Sequence, residues 1–294
     1  MMRVIRLVLL CLAVIVCQNT VGEHLVVPGT YASIQAAIDN AVPGDSIEVQ
    51  AGIYEETLLF KEGIELKGAG PESTIVRVAS TDGVVLQVKD AASGSISGFT
   101  FAHSDTASLN PNLEDLPDAM DVSNSRVEIR NCILGPSAGC GIAVRENSDG
   151  SVVECRAEGN CRGGIYVRGE GTQAKLLRNA CSNNHWGGIC LTKGAKAVAE
   201  ENSCLNNNRW GVYVLNRGTS IELKNNIITG NTGPGILIDK WANGVVVGNT
   251  CSNNEENGIF FRLAATGAVT GNICENNTWN GIVVQSLATD SAVQ

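Results

Sequence analysis

The chain has 294 residues, of which 33 are glycine, 4% are aromatic and 17% are charged. A composition so rich in glycine and so poor in charge disfavours a helical bundle and favours short strands joined by tight turns. The formal net charge of −9 at pH 7 argues against nucleic acid as a partner, because binding a phosphate backbone requires a basic surface.

Residues 1–22 have the pattern of a secretory signal peptide. Arg3 and Arg6 precede an apolar run at 7–17, and small and polar residues follow as far as Gly22. The run is too short for a membrane span. We therefore expect cleavage after Gly22 and a secreted, periplasmic or cell-surface protein with no further membrane segment. Without its two leader arginines the chain keeps 19 of its 21 basic residues against 30 acidic ones, a net charge of −11.

The first part of the mature chain predicts a short helix at 33–40 and strands at 46–49, 57–60 and 64–66. An amphipathic helix in this place covers the otherwise exposed first turn of a solenoid. Because no linker interrupts the pattern, residues 23–294 are expected to form one domain. The sequence leaves the oligomeric state open, a monomer included.

From Gly141 onward one unit repeats every 23 or 24 residues. A period this regular is typical of a solenoid in which each unit is one turn. The repeated glycines are Gly141, Gly164, Gly188, Gly211, Gly235, Gly258 and Gly281. Apolar residues one and three positions later predict a strand with one buried face, and a second alternation, as at 174–179, follows about ten residues on. This pattern predicts an all-β, single-stranded right-handed parallel β-helix of about ten turns of ~23 residues, with a short N-terminal capping helix.

Asparagines and cysteines recur at fixed places in the repeat. Asparagines stacked at identical corners can hydrogen-bond along the column and to turn backbone. The two asparagine columns are Asn160, Asn184, Asn207, Asn231, Asn254 and Asn277, and Asn179, Asn202, Asn226, Asn249 and Asn272. The cysteine columns are Cys181, Cys204, Cys251 and Cys274, and Cys132 and Cys155. These thiols are expected either as small buried groups or as disulfides between adjacent turns.

The run TYASIQAAIDNAVPGDSIEVQAGIYEE, with the later KEGIELKGAG, resembles the opening of the pectin-lyase-like β-helix superfamily. That superfamily includes pectate lyases, pectin methylesterases, polygalacturonases and alginate epimerases. The later asparagine and Gly-Ile units are similar to its generic repeat, so the resemblance covers nearly all of the mature chain. It implies the fold and a carbohydrate-active protein.

The stretch at 118–134, DAMDVSNSRVEIRNCIL, resembles the pectate lyase region in which a D-A strand precedes a V-W-I-D-H-C strand. The residues that fit are Asp118, Ala119, Met120, Val127, Ile129 and Cys132. Glu128, Arg130 and Asn131 stand where that family has its Trp, its calcium-binding Asp and its His. Met120 also occupies the place of the proton-transferring His in the D-P-H-D motif of alginate epimerases and lyases, and a thioether cannot transfer protons. No complete catalytic set is carried over by the resemblance.

An insertion at about 104–115 lengthens one of the otherwise tight turns. Long acidic insertions that overhang a strand face commonly form one wall of a cleft or hold a cation. Abstraction of a proton next to a uronate carboxylate needs such a cation and a base. The candidate catalytic residues are Asp118, Asp121, Arg145 and Arg168. The candidate ligands of calcium, the one cofactor that the pattern suggests, are Asp115, Asp118 and Asp121. We expect His103, Asp105 and Glu114 on the same side.

The outward face of the repeated strands collects aromatic and basic side chains. From three residues before to six after the repeated glycines there are eight basic and five acidic residues, so this face is near +3 while the rest of the mature chain is near −14. Ring stacking and guanidinium donors suit an extended acidic polysaccharide. The candidate substrate-binding residues are Tyr166, Arg162, His185, Trp186, Arg209, Trp210, Tyr213, Asp239, Phe260 and Arg262.

Three functions stay open on these residues. The first is a protein that binds or modifies an acidic polysaccharide, with a lyase or epimerase favoured over a hydrolase. The second is a non-catalytic polysaccharide-binding module at the cell surface. The third is a protein-interaction solenoid, for which an exposed stripe of Tyr166, Tyr213 and Phe260 would be the partner surface.

Overall fold

A computed structural model describes residues 22–106 and 116–285, which coil into three parallel sheets of eleven, ten and ten strands. Sheet A contains β1 (His24–Val27), β2 (Ser46–Val49), β5 (Glu65–Gly68), β8 (Ser95–Ser97), β11 (Glu128–Arg130), β14 (Asp149–Val153), β17 (Gln173–Leu177), β20 (Lys196–Glu200), β23 (Ser220–Lys224), β26 (Asn243–Val247) and β29 (Thr266–Thr270).

Sheet B contains β3 (Gly52–Tyr54), β6 (Thr74–Val78), β9 (Thr100–His103), β12 (Ile133–Leu134), β15 (Arg156–Glu158), β18 (Ala180–Ser182), β21 (Ser203–Leu205), β24 (Ile227–Thr229), β27 (Thr250–Ser252) and β30 (Ile273–Glu275). Sheet C contains β4 (Leu58–Phe60), β7 (Leu86–Lys89), β10 (Met120–Ser123), β13 (Ile142–Arg145), β16 (Ile165–Arg168), β19 (Gly187–Thr192), β22 (Trp210–Leu215), β25 (Ile236–Asp239), β28 (Ile259–Phe261) and β31 (Ile282–Val284).

The strands pair in register because each turn places the same kind of residue inward. In sheet C, Ile142 pairs with Ile165, and Ile165 pairs with Ile189. These three side chains are fully buried, as expected for the inward positions of strands with period two. The outward positions two residues apart form parallel rows along the same sheet, and those rows carry the candidate site.

The β-helix has about eleven turns, one more than predicted, because β1 precedes the first predicted strand and pairs with β2. Each full turn has three strands where the sequence predicted two. The missed strand belongs to sheet B and is typically three residues long, as in β18. Three residues are too few to display an apolar alternation, although the column through Cys181 and Cys204 runs along this strand.

The predicted asparagine ladders are confirmed. Asn184 is fully buried, and its Nδ2 donates to Asn207 Oδ1 at 3.0 Å and to the carbonyl oxygen of Ala157 at 3.0 Å. Its backbone N–H donates to the same Asn207 Oδ1 at 3.0 Å. The column from Asn179 to Asn272 repeats this arrangement. Each amide therefore ties its own turn to both neighbours, and leaving such a buried group unpaired costs about 1–3 kcal/mol.

All nine cysteines of the described residues are free thiols, seven of them buried. Of the two alternatives, the small buried group is the one observed. Burial raises the pKa of Cys190 to about 12, so this thiol stays protonated and unreactive near neutral pH.

The predicted capping helix is present as α1 (Ile34–Asn40). Ser33 caps it by accepting from the backbone N–H of Ala36 at 3.2 Å, and the Glu56 carboxylate accepts from the backbone N–H groups of Ile34 (2.9 Å) and Gln35 (3.1 Å). Ile34 and Ile38 are buried against the first turn. A short 3₁₀ helix spans Ser80–Asp82. None of the helices in the described ranges is long and apolar enough to cross a membrane.

Candidate functional site

A groove of about 310 Å³ opens on the outer face of sheet C, across β10, β13 and β16. Two outward rows build its floor. One row pairs Asp121 with Ala143 and Ala143 with Tyr166, and the other continues from Arg145 to Arg168. The polar groups that line the groove are Asp118, Asp121, Arg145, Arg162, Tyr166 and Arg168. The sheet register thus brings the four candidate catalytic residues together with two candidate binding residues.

Asp118 lies just before β10, and its side chain is 8% exposed. Its Oδ1 accepts a 2.6 Å hydrogen bond from the backbone N–H of Cys140, and its Oδ2 accepts one of 2.6 Å from Arg145 Nη2. Burial raises the pKa of Asp118, while the Cys140 N–H and the Arg145 charge oppose that rise. Both oxygens are therefore committed to protein donors.

Asp121 faces the same guanidinium from the other side. Its Oδ1 lies 3.1 Å from Arg145 Nε in ion-pair but not hydrogen-bond geometry, and this buried oxygen has no hydrogen-bond donor within 22–106 and 116–285. Burial raises the pKa of Asp121 to about 6; Arg145 opposes the rise, and the charges of Asp118 and Glu146 add to it. A carboxyl group with such a pKa can exchange protons near neutral pH.

Gly139 lets the backbone approach Asp118. A Cβ at this position would lie 2.5 Å from Asp118 Oδ1 and 2.7 Å from the carbonyl oxygens of Leu116 and Pro117. Neither Gly139 nor the donor N–H of Cys140 was predicted from the sequence. A backbone donor has no signature in side-chain type, so only the folded chain reveals it.

The arginines and the tyrosine form the other side of the groove. The Arg162 guanidinium lies over the Trp186 ring, 4.6 Å from its centroid. Arg168 has no ion pair with any described carboxylate. The Tyr166 hydroxyl lies 2.9 Å from Thr192 Oγ1, and burial raises the pKa of Tyr166, so the phenol stays protonated at neutral pH.

A second group of side chains lies further along sheet C, which we call the aromatic patch: Arg209, Trp210, Tyr213, Phe260 and Arg262. The Trp210 and Tyr213 rings stack with centroids 4.1 Å apart, and Arg209 lies over Trp210 at 5.5 Å. Burial raises the pKa of Tyr213 to about 12. Stacked rings flanked by guanidinium groups suit the face of a sugar.

The sequence matches the family described as "Right handed beta helix region" over residues 62–222 and 164–293. The chain belongs to this family. No curated protein sequence matches this β-helix protein. Its resemblance to pectin-lyase-like β-helix proteins is confirmed at the level of the fold.

Solved structures show the same architecture for this β-helix protein. The Dettilon tailspike protein aligns with a TM-score of 0.63 and 16% identity, over 85% of this chain and 54% of that one. An alginate lyase from Paenibacillus aligns with a TM-score of 0.51 and 14% identity, over 88% and 99%. The A-module of a mannuronan C-5 epimerase from Azotobacter vinelandii aligns at 0.48 and 16%, over 87% and 95%. At these identities the likeness to the tailspike protein and to the alginate lyase shows the fold alone.

Asp239 was predicted to bind substrate, but in the β-helix its side chain is enclosed by the protein. Its side chain is fully buried, and Arg262 Nη2 lies 2.9 Å from its Oδ2. Its Oδ1 accepts from the backbone N–H of Lys240 at 2.9 Å. A carboxylate so enclosed holds Arg262 in place and does not contact a ligand directly.

The expected exposed stripe of Tyr166, Tyr213 and Phe260 is also wrong. All three rings are half-buried, and the residues between them in the row, Cys190 and Leu237, are buried. The larger neighbours cover these smaller side chains, and Trp210 covers one face of Tyr213. The surface is a groove and a separate patch, without a continuous stripe. His185 and Trp186 lie half-exposed between the two.

His103 and Asp105 do not join the groove as expected. The backbone N–H of Ala138 donates to His103 Nδ1 at 3.1 Å, so Nε2 carries the proton and donates to the carbonyl oxygen of Gly83 at 2.9 Å. Asp105 accepts from the N–H and hydroxyl of Ser80 at 2.8 and 2.9 Å. His103 thus links Ala138 to Gly83, which lines the groove, and Asp105 fixes the turn at Ser80. Glu114, Asp115 and most of the insertion lie outside the described residues.

Calcium does not fit the part of the predicted site that is described. Arg145 already occupies the space between Asp118 and Asp121 where a cation would bind, and both Asp118 oxygens have donors. Within the described ranges, His, Cys, Asp and Glu side chains form no group of three or more able to hold a metal ion. The calcium prediction therefore depends on Asp115.

Proposed function

We propose that the protein binds an acidic polysaccharide in the groove on sheet C and modifies it by proton transfer next to a uronate carboxylate. One observation carries the proposal: a half-buried carboxyl group, Asp121, has its pKa raised to about 6 in a groove that Arg145, Arg162 and Arg168 line. Anion-binding groups and a proton acceptor are the two things that this reaction requires.

The arginines have distinct roles in this proposal. Arg168 lacks a described carboxylate partner, so it is the group most available to bind a uronate carboxylate. Binding makes the proton on the adjacent sugar carbon more acidic, because the negative charge that develops on the carboxylate is stabilised. Asp118 is a positioning residue, since it holds the Arg145 guanidinium against Asp121.

The chemical step transfers that proton to Asp121. The carbon–hydrogen bond breaks, and its electron pair moves into the carboxylate to give an enediolate. In a lyase the pair then forms a carbon–carbon double bond while the glycosidic oxygen leaves with a proton from Tyr166. In an epimerase the carbon recovers a proton on its opposite face. Because its pKa is raised, Tyr166 is protonated at neutral pH and so carries a proton to give.

Two further observations support an acidic polysaccharide as the ligand. The fold is shared with a protein named as an alginate lyase, and the aromatic patch continues the same face of sheet C. The leader-like segment at 1–22 supports a place outside the cytoplasm, in the periplasm, at the cell surface or in the medium.

A non-catalytic polysaccharide-binding module is the second candidate. It is favoured by the pairing of Arg145 with both Asp118 and Asp121, which leaves the base partly neutralised. On this alternative the groove binds the polymer and no bond changes.

The test is to incubate the purified protein with polygalacturonate and alginate in deuterium oxide. If the protein is an epimerase, we expect deuterium at the carbon next to the carboxylate by NMR. If it is a lyase, we expect ultraviolet absorbance of unsaturated uronate, because elimination leaves that carbon without hydrogen. Asp121→Asn should abolish either signal, while Asp149→Asn, an exposed carboxylate on sheet A, should leave it unchanged. Binding without any chemical change in the polymer would favour the module. The absence of both binding and chemical change would overturn the proposal.

A further inference from the structure

The corner that connects sheet C to sheet A carries a basic cluster outside the groove. Thr192, Leu215 and Asp239 are register partners at the end of three successive strands. Lys193 and Lys240 follow the first and third of these residues, so they hold the same position two turns apart, about 10 Å at the spacing of parallel strands. Arg217 lies in the intervening turn.

The three cations of this corner are exposed to solvent. None of Lys193, Arg217 and Lys240 has an ion pair with a carboxylate of the described residues. The nearest acid in sequence, Asp239, is fully buried and already paired with Arg262. The exposed Glu170 lies against Gly194 beside Lys193, so the corner carries three cations and one acid on a chain whose overall charge is −9.

Trp241 distinguishes this cluster from other surface lysines. Its side chain is 49% exposed, and the Arg217 guanidinium lies 5.9 Å from its ring centroid. Its φ of 62° is left-handed, a conformation that bulky residues rarely adopt and that costs about 1–2 kcal/mol outside glycine. The chain accepts this cost at a corner where glycine or asparagine would serve, and the result is an exposed indole among three cations.

We propose that Lys193, Arg217, Lys240 and Trp241 form a binding site for an anionic glycan. The indole face would stack on a sugar ring, and the cations would bind its sulfate or carboxylate groups. The site shares no residue with the groove, so it goes beyond the proposed function and does not depend on it.

An anionic glycan fits this corner better than a nucleic acid does. The cluster supplies one cation per turn over three turns, and the remainder of the chain is acidic. A phosphate backbone needs a longer basic surface, since its affinity grows with each phosphate that is neutralised. A charged glycan needs only a few cations beside one ring.

The experiment compares two triple charge reversals. Lys193→Glu, Arg217→Glu and Lys240→Glu alter the corner. Lys67→Glu, Lys175→Glu and Lys196→Glu make the same change in net charge on sheet A, where the lysines are exposed but no aromatic residue lies in the strands that carry them. Binding is measured with heparin as a sulfated probe, polygalacturonate as a carboxylated probe and oligothymidylate as a nucleic acid.

We expect the corner variant to lose about tenfold or more in affinity for heparin or polygalacturonate, and the sheet A variant to lose less than about twofold. The stronger of these two probes identifies the anionic group. Equal losses in both variants would overturn the proposal, because they would show a general charge effect. Absence of glycan binding by the unaltered protein, or tighter binding of oligothymidylate, would overturn it as well.

Trp241 provides a second readout that does not depend on net charge. Trp241→Ala should weaken glycan binding severalfold, whereas Trp241→Phe should keep most of the affinity and remove the change in tryptophan fluorescence on binding. An unaltered affinity in Trp241→Ala would contradict the role of the ring. The part of the fluorescence change that Trp241→Phe removes reports the corner alone, and so separates this site from the groove of the proposed function.

Discussion

Sheet A and sheet C carry the same two kinds of side chain, arginines and carboxylates, in different surroundings. On sheet A and its corner, Arg178 lies 2.7 Å from Glu154 and 3.8 Å from Glu201, with all three side chains 44–51% exposed. In the groove, Asp118 and Asp121 are 8% and 14% exposed and share Arg145. Solvent screens the first set, so those pairs contribute little.

Burial is therefore what separates a candidate site from a solvated surface here. The Asp121 pKa rises because the groove removes water from a carboxylate that Arg145 compensates only in part. Neither ion pair of Arg178, with Glu154 or with Glu201, is enclosed in this way. The number of charges on each sheet does not distinguish the candidate site from a solvated surface, whereas the enclosure of those charges does.

The largest difference between the two sheets should follow removal of Arg145. In Arg145→Ala the buried Asp118 loses its charged partner, and we expect a loss of about 3 kcal/mol in the free energy of unfolding. Urea unfolding of the variant measures it. Arg145→Lys, which keeps the charge without the planar fork, should recover part of the loss. A change below about 1 kcal/mol in Arg145→Ala would show that the groove is as well solvated as sheet A.

A smaller loss is expected when the close approach behind Asp118 is blocked. Gly139→Ala places a methyl group 2.5 Å from Asp118 Oδ1, so the backbone at Cys140 must move away and its hydrogen bond weakens. We predict a loss of about 2 kcal/mol in unfolding free energy. The control is Gly163→Ala, whose added Cβ meets its nearest atom at 3.5 Å. Equal effects of the two substitutions would contradict the account of this contact.

The pH dependence of stability should also distinguish the sheets. The folded-state pKa of Asp121 is raised from 3.8 to about 6, so the folded protein holds this proton more tightly than the unfolded chain does. Its contribution is fully present below pH 3.8 and is lost as the pH rises through about 6. Across this pH window, the midpoint of urea unfolding should fall less with rising pH in Asp121→Asn than in the unaltered protein. The pH dependence of unfolding in Asp149→Asn should match that of the unaltered protein. If Asp121→Asn also showed the same pH dependence as the unaltered protein, that result would contradict the raised pKa of Asp121.

The smallest effect is expected on sheet A. Arg178→Ala removes an exposed arginine that pairs with Glu154 and Glu201. The free energy of unfolding of this variant should change by less than about 1 kcal/mol. Added salt should shrink the difference further, because the pair is screened by solvent ions. A loss as large as that of Arg145→Ala would erase the distinction between the sheets.

The fold was largely predictable because its signals repeat. The 23- or 24-residue period and the asparagine columns are visible in the sequence, and the ladder from Asn160 to Asn277 is confirmed. The third strand of each turn was not predicted, since strands such as Ala180–Ser182 are too short to show a period.

Of the candidate site, the sequence predicted only which residues lie in the outward rows of one sheet. Register placed Asp121, Arg145 and Arg168 on one face, as expected. Enclosure depends on neighbouring turns: Asp239 is buried because Arg262, one turn later, closes over it, and the alternation of side chains cannot show this. The donor N–H of Cys140 belongs to the backbone and left no trace in residue type.

The most direct test of the account is a carbon-13 NMR titration of the Asp121 carboxyl group, assigned through Asp121→Asn. The groove predicts a midpoint near pH 6, because burial outweighs the charge of Arg145. A midpoint at or below the ordinary 3.8 would mean that Asp121 is solvated or fully neutralised by Arg145. It could then not serve as the proton acceptor, and the groove would be a binding surface alone.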